Sequence, residues 1–478
     1  RELFAGLTGS NGTGKKSEQK ELPAGPVFAA PPNSREERLQ YMKGTLAYRD
    51  AIKVFCQAWE NRYAKNLLSF KLKIVNADVV IEAGKLKQIL ADTHTPLNIR
   101  LNNMIKSVKR SAKAQIVSRL DLFVVERNQG KKNGKNTGSV HTRQSEMPAE
   151  YGKALNRLGS QPPLTAWTKV EAAELYGEFL RSAAYRNLCA CHELAPAVSP
   201  AEAQLWKQSD DDALTYIHIL LNGIPAEAKC GHIVLDEAQE CSPFEVSLLK
   251  EFSANGSITL LGDLNQSSRN RPWFIRWGEL AAGALAGLAA ECIELTTSYR
   301  SVGEIVDFTN RLLPKSSTKA IPVYFGRENP QAYETATPAE TIDKIASRVA
   351  ELIGVGCKSV GIVTRDPAGA AELYLALSHS PKPLSAAVAL IDDSVTEFRG
   401  GVSVLPVQMA KGLEFEAVII ANGNDRQYPG SSSDQRLLYI ACTRALHHLD
   451  VFYEGNISPL LAAEDTGCAA KAGENRVL

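Results

Sequence analysis

The sequence predicts an α/β protein built on parallel sheets. From about Ala166 onward, short β-rich apolar runs alternate with helical segments, the pattern of strands joined by crossover helices. Two of these runs end in clusters of polar residues, as strands do where a parallel sheet opens into a ligand crevice. With 478 residues, the chain is long enough for two or three domains.

The amino-terminal part of the chain has a different pattern. Residues 1–34 are rich in Gly, Pro, Ser and Lys and predict a loop or tail. Amphipathic spacing predicts helix over residues 35–65, and alternation over residues 70–81 predicts a short β-hairpin before helix resumes near Lys85.

A basic stretch follows. Residues 100–143 contain eleven Lys or Arg and only two acids, and they include a Gly/Asn/Lys-rich segment, residues 128–138, that we expect to be a mobile loop. A solvated helix face and a polyanion-binding surface are both open explanations for this charge. Because Phe123 is the one aromatic residue in the stretch, a base-stacking platform is not supported.

The expected strands of the α/β part are short and apolar. They are His232–Leu235, Ser257–Leu261, Val360–Thr364, Ala386–Ile391, Gly401–Pro406, Ala417–Ala421 and Leu449–Tyr453.

Composition indicates a soluble globular protein. Apolar residues make up 44%, charged residues 22%, and the formal net charge is +1, which excludes wholesale disorder. No run of about 18 apolar residues and no charged-then-apolar leader is present, so we expect no membrane span and a cytoplasmic location. The nine cysteines are scattered and odd in number, as is typical of reduced thiols.

The first polar cluster follows a strand that we expect to be buried, residues 232–235. Asp236 and Glu237 are adjacent carboxylates, and Gln239 adds an amide. Such a pair can divide the work of nucleotide hydrolysis, with Asp236 holding Mg²⁺ and Glu237 deprotonating the attacking water.

Further polar groups follow in an ordered series. Gly262 and Gln266 end the next strand, where the glycine allows a sharp turn and the amide can sense a phosphate or a water. Arg300 and Arg444 offer planar forks suited to phosphate oxygens, and Glu414 can accept a hydrogen bond from a ribose hydroxyl.

Taken together, the order and spacing of these groups resemble motifs II to VI of UvrD/Rep-like superfamily 1 helicases. The resemblance implies two RecA-like parallel-sheet motor domains, the first incomplete, with a helical basic insertion, and it implies ATP and Mg²⁺ as cofactors. It assigns Asp236 to the metal and Glu237 to the catalytic base. It also assigns Gln239 and Gln266 to coupling, Arg300 and Arg444 to the γ-phosphate, and Gly412 and Glu414 to the nucleotide.

Several longer segments resemble the HelD branch of these proteins, among them residues 43–50, 97–101, 236–243 and 401–407. That resemblance implies an ATP-dependent action on bacterial RNA polymerase or its nucleic acid. A DNA helicase and a catalytically silent binding protein are the alternatives.

The phosphate loop departs from the family pattern. Residues 9–17 have the glycine-lysine spacing up to Lys15, but Lys16 stands where a hydroxyl belongs and Ser17 comes one residue late. On a helix, that slip rotates the side chain by about 100°. We therefore expect the true nucleotide loop to be missing through truncation or deletion, with a degenerate loop that uses Lys15 as the alternative.

The expected domain organisation has five segments. They are a flexible or truncated amino-terminal segment (1–34), a helical, basic accessory region (35–165), the remainder of the first RecA-like domain (166–300), the second RecA-like domain (301–460) and a carboxy-terminal tail (461–478).

Overall fold

The structure is a computed structural model. It describes residues 2–7, 35–67, 72–74, 77–79, 83–92, 94–132, 169–194, 210–267, 276–315, 317–326, 328–379, 387–392, 400–462 and 476–477. For residues 2–7, 64–83, 116–117, 119–132 and 476–477, the description is of the backbone alone. No helix within these ranges is long and apolar enough to cross a membrane.

The chain divides into two compact units, which we call the helical unit (residues 35–230) and the α/β unit (residues 1–34 and 231–478). Residues 169–194 and 210–230, which the sequence suggested as part of the first RecA-like domain, pack within the helical unit.

The helical unit contains seven α-helices, one short 3-10 helix (Ala226–Ala228) and one hairpin among its described residues. They are α1 Arg35–Lys43, α2 Leu46–Leu67, β2 Leu72–Ile74, β3 Ala77–Val79, α3 Ala83–Ala91, α4 Leu97–Lys132, α5 Ala172–Leu180, α6 Ala183–Cys191 and α7 Asp211–Asn222. The antiparallel pairing of β2 with β3 confirms the predicted hairpin. Helix α4 continues to Lys132, so the loop expected from residue 128 is wrong for its first five residues. The remaining residues of that segment lie outside the described ranges.

A buried polar network lies in the core of the helical unit. The Lys43 ammonium lies 2.5 Å from the Asp210 carboxylate, and both residues are less than a tenth exposed. The Tyr176 hydroxyl also donates to Asp210, and it lies 2.8 Å from the Tyr48 hydroxyl. The network therefore joins the end of α1, the start of α2, the middle of α5 and the start of α7.

Replacing Lys43 with methionine is expected to destabilise the helical unit by about 3 to 5 kcal/mol, because it leaves the Asp210 carboxylate buried without its cation. Thermal denaturation and limited proteolysis of the full chain would measure this loss. Lys53→Met, which removes an exposed lysine from α2, is the matched control and should change the Tm little. Equal Tm values for the two variants would contradict the role of the ion pair.

The first sheet of the α/β unit has four strands in the order β4-β5-β1-β6. Their bounds are β1 Glu2–Leu7, β4 Ile233–Leu235, β5 Ile258–Gly262 and β6 Ala289–Glu294. Strands β4 and β5 are parallel, whereas β1 is antiparallel to both β5 and β6. The helices that follow are α8 Pro243–Phe252 and α9 Trp277–Ala282.

Two features of this sheet correct the expectations. Residues 1–34 were expected to lack regular structure, yet Glu2–Leu7 forms a strand, since the prolines of this segment begin only at Pro23. The strand before Asp236 was expected to be buried, yet Val234 is 60% exposed. The reason is its place in the sheet, because β4 is an edge strand whose one neighbour among the described strands is β5.

The direction of β1 matters for the phosphate loop. Glu2 lies opposite Gly262 at the carboxyl end of β5, so the chain leaves β1 at Leu7 beside the amino end of β5. Asp236 follows the carboxyl end of β4, which is parallel to β5. The chain therefore leaves β1 at the end of the strands opposite to Asp236. Lys15 itself lies outside the described residues.

The second sheet has seven strands in the order β11-β12-β10-β13-β14-β9-β15. The bounds are β9 Gln331–Thr335, β10 Ser359–Thr364, β11 Val388–Leu390, β12 Gly401–Pro406, β13 Phe415–Ile420, β14 Ala445–Glu454 and β15 Arg476–Val477. The first six strands in this order pair in parallel, and only β15 runs antiparallel to its neighbour. This sheet confirms the predicted α/β class and fits a RecA-like domain.

Helices cover both faces of the second sheet. They are α10 Gly303–Arg311, α11 Pro338–Gly354, α12 Pro367–Ser378 and α13 Ser432–Cys442. Alternate residues of β13 belong to different cores: Ala417 and Ile419 pack with α11 and α12, and Val418 and Ile420 pack with α10 and α13. Burial on both faces explains why these strands read as continuous apolar runs. A small parallel pair, β7 Thr297–Ser298 and β8 Ile321–Pro322, lies apart from both sheets.

Candidate functional site

Polar side chains from the two sheets meet in the α/β unit. Asp236 and Glu237 follow β4, and Asp263 and Gln266 follow β5. Arg444 comes from the second sheet, where it lies between the end of α13 and the start of β14. The helix ends at Cys442, two residues before Arg444.

Glu237 has an unusual backbone conformation. Its φ of 54° and ψ of 34° lie in the left-handed region, which costs a residue with a Cβ of the order of 1 kcal/mol. The Glu237 N–H donates to Asp236 Oδ1 at 2.8 Å. This turn redirects the chain just after β4. As a result, the adjacent carboxylates of Asp236 and Glu237 have different surroundings.

A continuous chain of hydrogen bonds runs from Glu237 to Arg444. Gln239 donates to Glu237 Oε2 at 2.6 Å and accepts from the Asp263 N–H at 3.1 Å. Gln266 donates to Asp263 Oδ2 at 2.7 Å and accepts from Arg444 Nη2. Each glutamine uses its NH₂ toward a carboxylate and its oxygen toward an N–H, so the chain has one internally consistent polarity.

The close approach of Gln239 explains Gly262. A Cβ at this position would lie 2.3 Å from Gln239 Oε1 and 2.9 Å from the Trp277 ring. Since the φ of Gly262 is not in the left-handed region, the glycine is needed for space at the contact between β5 and the amide. Gly262 was predicted from the sequence, but the expected reason was a sharp turn beside a phosphate.

Lys411 ties the two sheets together at the candidate base. It lies between a short 3-10 helix, Val407–Ala410, and β13. Its Nζ is 2.7 Å from Glu240 Oε1 and 3.3 Å from Glu237 Oε2, and its side chain is 14% exposed. The sequence predicted no role for Lys411 or Glu240, although Lys411 precedes Gly412 and Glu240 lies within residues 236–243.

Two of the residues expected to bind a nucleotide bind each other. Arg300 Nε lies 2.8 Å from Glu414 Oε1, and both side chains are partly exposed. Gly412 has a φ of 77°, so a glycine suits the backbone before Glu414.

Arg444 is the buried cation of the site, with only 2% of the residue exposed. Burial lowers the pKa of its guanidinium, and the nearby positive charge of Arg300 lowers the pKa further. The carboxylates of Glu237, Asp263 and Glu414 act in the opposite direction. Burial and the charge of Arg300 outweigh these carboxylates, so the pKa of the Arg444 guanidinium lies below its usual value.

A cavity of about 320 Å³ adjoins this network. Asp263 and Gln266 line it from the segment after β5, and Arg300 lines it from the segment after β7. Tyr439 and Thr443 line it from the end of α13. Its volume is within the range of small-molecule pockets. The cavity therefore brings the candidate coupling amide and a candidate phosphate-binding arginine to one space.

A buried carboxylate, Asp434, fixes the start of α13. It accepts hydrogen bonds from the Ser431 N–H at 2.9 Å and the Ser431 hydroxyl at 2.7 Å, and Arg365 Nη1 lies 2.6 Å away. Burial by itself raises the pKa of this carboxyl, but these hydrogen bonds and the Arg365 charge together hold the pKa below its usual value of 3.8.

Stability should therefore depend on pH through Asp434. A lowered folded-state pKa means that the carboxylate stabilises the fold fully above about pH 3.8, and that this contribution is lost as the pH falls through the folded-state pKa. Asp434→Asn is expected to cost about 1 to 3 kcal/mol at neutral pH. Thermal denaturation from pH 7 to pH 2 should show the difference in Tm between wild type and variant shrinking below pH 4. A constant difference would contradict this assignment.

The structure brings together most of the residues that the sequence proposed. Glu237, Gln239, Gln266 and Arg444 form one hydrogen-bonded chain. Asp236 touches this chain through the backbone of Glu237. Asp263 links the two amides, and its place between Gly262 and Gln266 is the signal that would have identified it.

The candidate site overlaps a known family pattern. Residues 401–451, which include Lys411, Gly412, Glu414 and Arg444, match the model of the UvrD-like helicase C-terminal domain. A protein of Acanthamoeba polyphaga mimivirus named "putative ATP-dependent DNA helicase" is 24% identical over 237 residues, which are 45% of this chain and 33% of that protein. The chain thus spans about a third of that relative's length.

Two solved structures also match. The C-terminal domain of a possible DNA helicase from Lactobacillus plantarum WCFS1 is 31% identical, with 35% of this chain and 95% of that chain covered and a TM-score of 0.30. The PRRSV helicase is 17% identical, with 48% and 36% covered and a TM-score of 0.25. The family match and the mimivirus relative support the predicted likeness to UvrD/Rep-like proteins, whereas the HelD branch stays a prediction.

Proposed function

Starting from a UvrD-like helicase C-terminal domain at residues 401–451 and a relationship to superfamily 1 helicases, we propose that this chain is part of an ATP-dependent motor. The observation that carries the proposal is the hydrogen-bonded chain from Glu237 to Arg444. It joins a candidate base on one sheet to a candidate arginine sensor on the other. A change in the contacts of Glu237 can thus alter the contacts of Arg444, and the reverse. Coupling of ATP hydrolysis to movement requires such a link.

The residues present fit ATP and Mg²⁺ in part. Asp236 is exposed, and the N–H of Glu237 engages one of its oxygens, so its other oxygen is a candidate ligand of the metal. Arg300 and Arg444 would neutralise phosphate charge, and Glu237 would take the proton of the attacking water. A bound Mg²⁺·ATP would supply the electrophilic phosphorus and the metal that offsets its charge.

Phosphate binding is the weak part of this fit. Lys15 is the sequence's one candidate for the loop lysine, and the hydroxyl that should follow it is displaced by one residue. Because β1 is antiparallel to β5, the chain that leads to Lys15 leaves the sheet at the amino end of β5. Asp236 follows β4 at the opposite end of these strands. We therefore expect slow hydrolysis, limited by the lack of a complete cradle for the phosphates.

Two substrates suit such a motor. The HelD-like segments favour action on RNA polymerase and its nucleic acid, with ATP used to dislodge the nucleic acid. The mimivirus relative is named a putative ATP-dependent DNA helicase, and this likeness favours translocation on DNA. A third function, binding without catalysis, is favoured by the imperfect phosphate loop.

Phosphate release by the full chain would separate these functions. The chain would be assayed alone, with bacterial RNA polymerase, and with single-stranded DNA, and Glu237→Gln would give the background. Stimulation by polymerase supports the HelD-type motor, and stimulation by single-stranded DNA with strand separation supports the DNA helicase. Turnover at the Glu237→Gln background under all three conditions would overturn the motor and leave the binding protein.

A further inference from the structure

Helix α4 has one clearly buried side. Leu97, Leu101, Met104, Val108 and Ala112 are each at most 2% exposed, and they recur at steps of three or four residues. Such spacing aligns them along one side of a helix. This stripe packs α4 into the helical unit and so fixes which side of the helix faces outward.

The basic residues of α4 whose side chains the structure describes fall into two groups, and Arg100 forms the first alone. It is 3% exposed. Its Nη2 lies 2.6 Å from Glu60 Oε1, and its Nη1 donates to the Leu90 carbonyl at 2.6 Å. The charge of Arg100 is thus used inside the helical unit.

The second group, which we call the basic face, consists of Lys106, Lys109, Arg110 and Lys113. All four side chains are exposed. At 100° per residue, they fall within an arc of about 100° on the side of α4 opposite the buried stripe. Residues 97–115 contain no Asp or Glu. None of the four forms an ion pair or hydrogen bond with any residue that the structure describes.

Two amides extend the basic face along the helix. Asn102 and Asn103 are exposed, and together with the basic face they fall within an arc of about 120°. From Asn102 to Lys113, the surface is about 16 Å long at 1.5 Å per residue. It offers cations and hydrogen-bond donors to an anion that is repeated along a line.

We propose that the basic face binds the phosphates of double-stranded nucleic acid. This choice rests on the proposed function in taking nucleic acid as the partner. Residues 97–115 contain no aromatic residue, which disfavours a single strand, because single strands are held largely by base stacking. Protein interfaces are depleted in lysine and enriched in aromatic residues, so a protein partner fits this surface less well. A helix of about 10–12 Å diameter also matches the width of the B-DNA major groove.

Fluorescence anisotropy with a labelled 20-base-pair DNA duplex would test the proposal on the full chain between 50 and 200 mM KCl. The variant replaces the four residues of the basic face with alanine, which has the highest helix propensity and so preserves α4. We expect the slope of log K against log salt to become shallower by about 3 to 4, since each phosphate that is no longer neutralised removes about 0.9 from the slope. The affinity at 50 mM KCl should fall at least about tenfold.

A control variant carries Lys53→Ala, Lys169→Ala and Lys229→Ala, which neutralise exposed lysines elsewhere in the helical unit. We expect it to change the slope by less than about 1. Equal losses in the two variants, or none in the basic-face variant, would overturn the proposal. A basic-face variant that loses only single-strand binding, or only binding to RNA polymerase, would overturn it as well.

This test is separable from that of the proposed function. Duplex binding through the basic face needs no ATP, so salt-dependent binding with no hydrolysis would support the surface and contradict the motor. ATP hydrolysis by the chain, together with unchanged duplex binding in the four-alanine variant, would support the motor and contradict the role of the basic face.

Discussion

Replacing Glu237 with glutamine is expected to reduce ATP hydrolysis by this chain about a thousandfold, while nucleotide affinity changes little. A general base contributes about 10² to 10⁴ to a rate. Glutamine keeps the size of the side chain and its hydrogen bond to Gln239, but it cannot take a proton from water. Nucleotide binding should persist because Asp236 and Arg300 are untouched. Single-turnover hydrolysis and titration with a fluorescent nucleotide would measure the two quantities.

Glu240→Gln is the matched control for this substitution. Glu240 shares Lys411 with Glu237 and lies three residues away, yet it has no proposed part in the chemistry. We expect its loss to reduce hydrolysis less than about tenfold, since a partly exposed ion pair such as Lys411–Glu240 is worth about 1 kcal/mol or less and a tenfold change in rate needs about 1.4 kcal/mol. Equal turnover in wild type and Glu237→Gln would mean that the measured activity comes from another protein.

Arg444→Ala is expected to reduce hydrolysis by about a thousandfold or more, the range known for arginine fingers. The substitution removes the cation at one end of the hydrogen-bonded chain and leaves Gln266 Oε1 without its donor. Because Arg444 is buried and also donates to the Ile440 carbonyl, we expect a lower Tm as well. Turnover and Tm should therefore be measured on the same preparation.

Gln266→Ala and Arg311→Ala distinguish the two effects. Gln266→Ala interrupts the chain but keeps Arg444, so it should lower hydrolysis less than Arg444→Ala. Arg311 lies over the Phe308 ring and is not among the residues that line the cavity, so its replacement should leave turnover unchanged. Undiminished hydrolysis in a folded Arg444→Ala protein would contradict the sensor role.

Strand positions were predictable where apolar runs are continuous. Gly401–Pro406 was predicted with its observed bounds, and Val360–Thr364 was predicted to within one residue. Such strands are buried on both faces, so their sequences carry an unbroken apolar signal. Gln331–Thr335 was missed because its residues are mostly polar, although it pairs in parallel with β14. Its place in the sheet depends on a neighbour more than a hundred residues away.

For the candidate site too, the sequence identified individual residues but not the contacts between distant segments. Sequence motifs identified Glu237, Gln266 and Arg444, since the order and spacing of chemical groups are properties of the chain. They could not identify the contacts of Lys411 with Glu237 and Glu240, because these join residues more than 170 apart. Nor could they show that Arg300 pairs with Glu414.

The sequence by itself determined the α/β class, the likeness to superfamily 1 helicases and many of the residues of the candidate site, among them Glu237, Gln266 and Arg444. These follow from local periodicity and from the order of motifs along the chain. Tertiary structure decided the exposed edge position of β4, the antiparallel direction of β1 and the polarity of the hydrogen bonds from Glu237 to Arg444. It also separated buried Arg100 from the basic face of α4. The physical reason is that burial and hydrogen-bond partners depend on which distant segments pack together, and local sequence does not specify that.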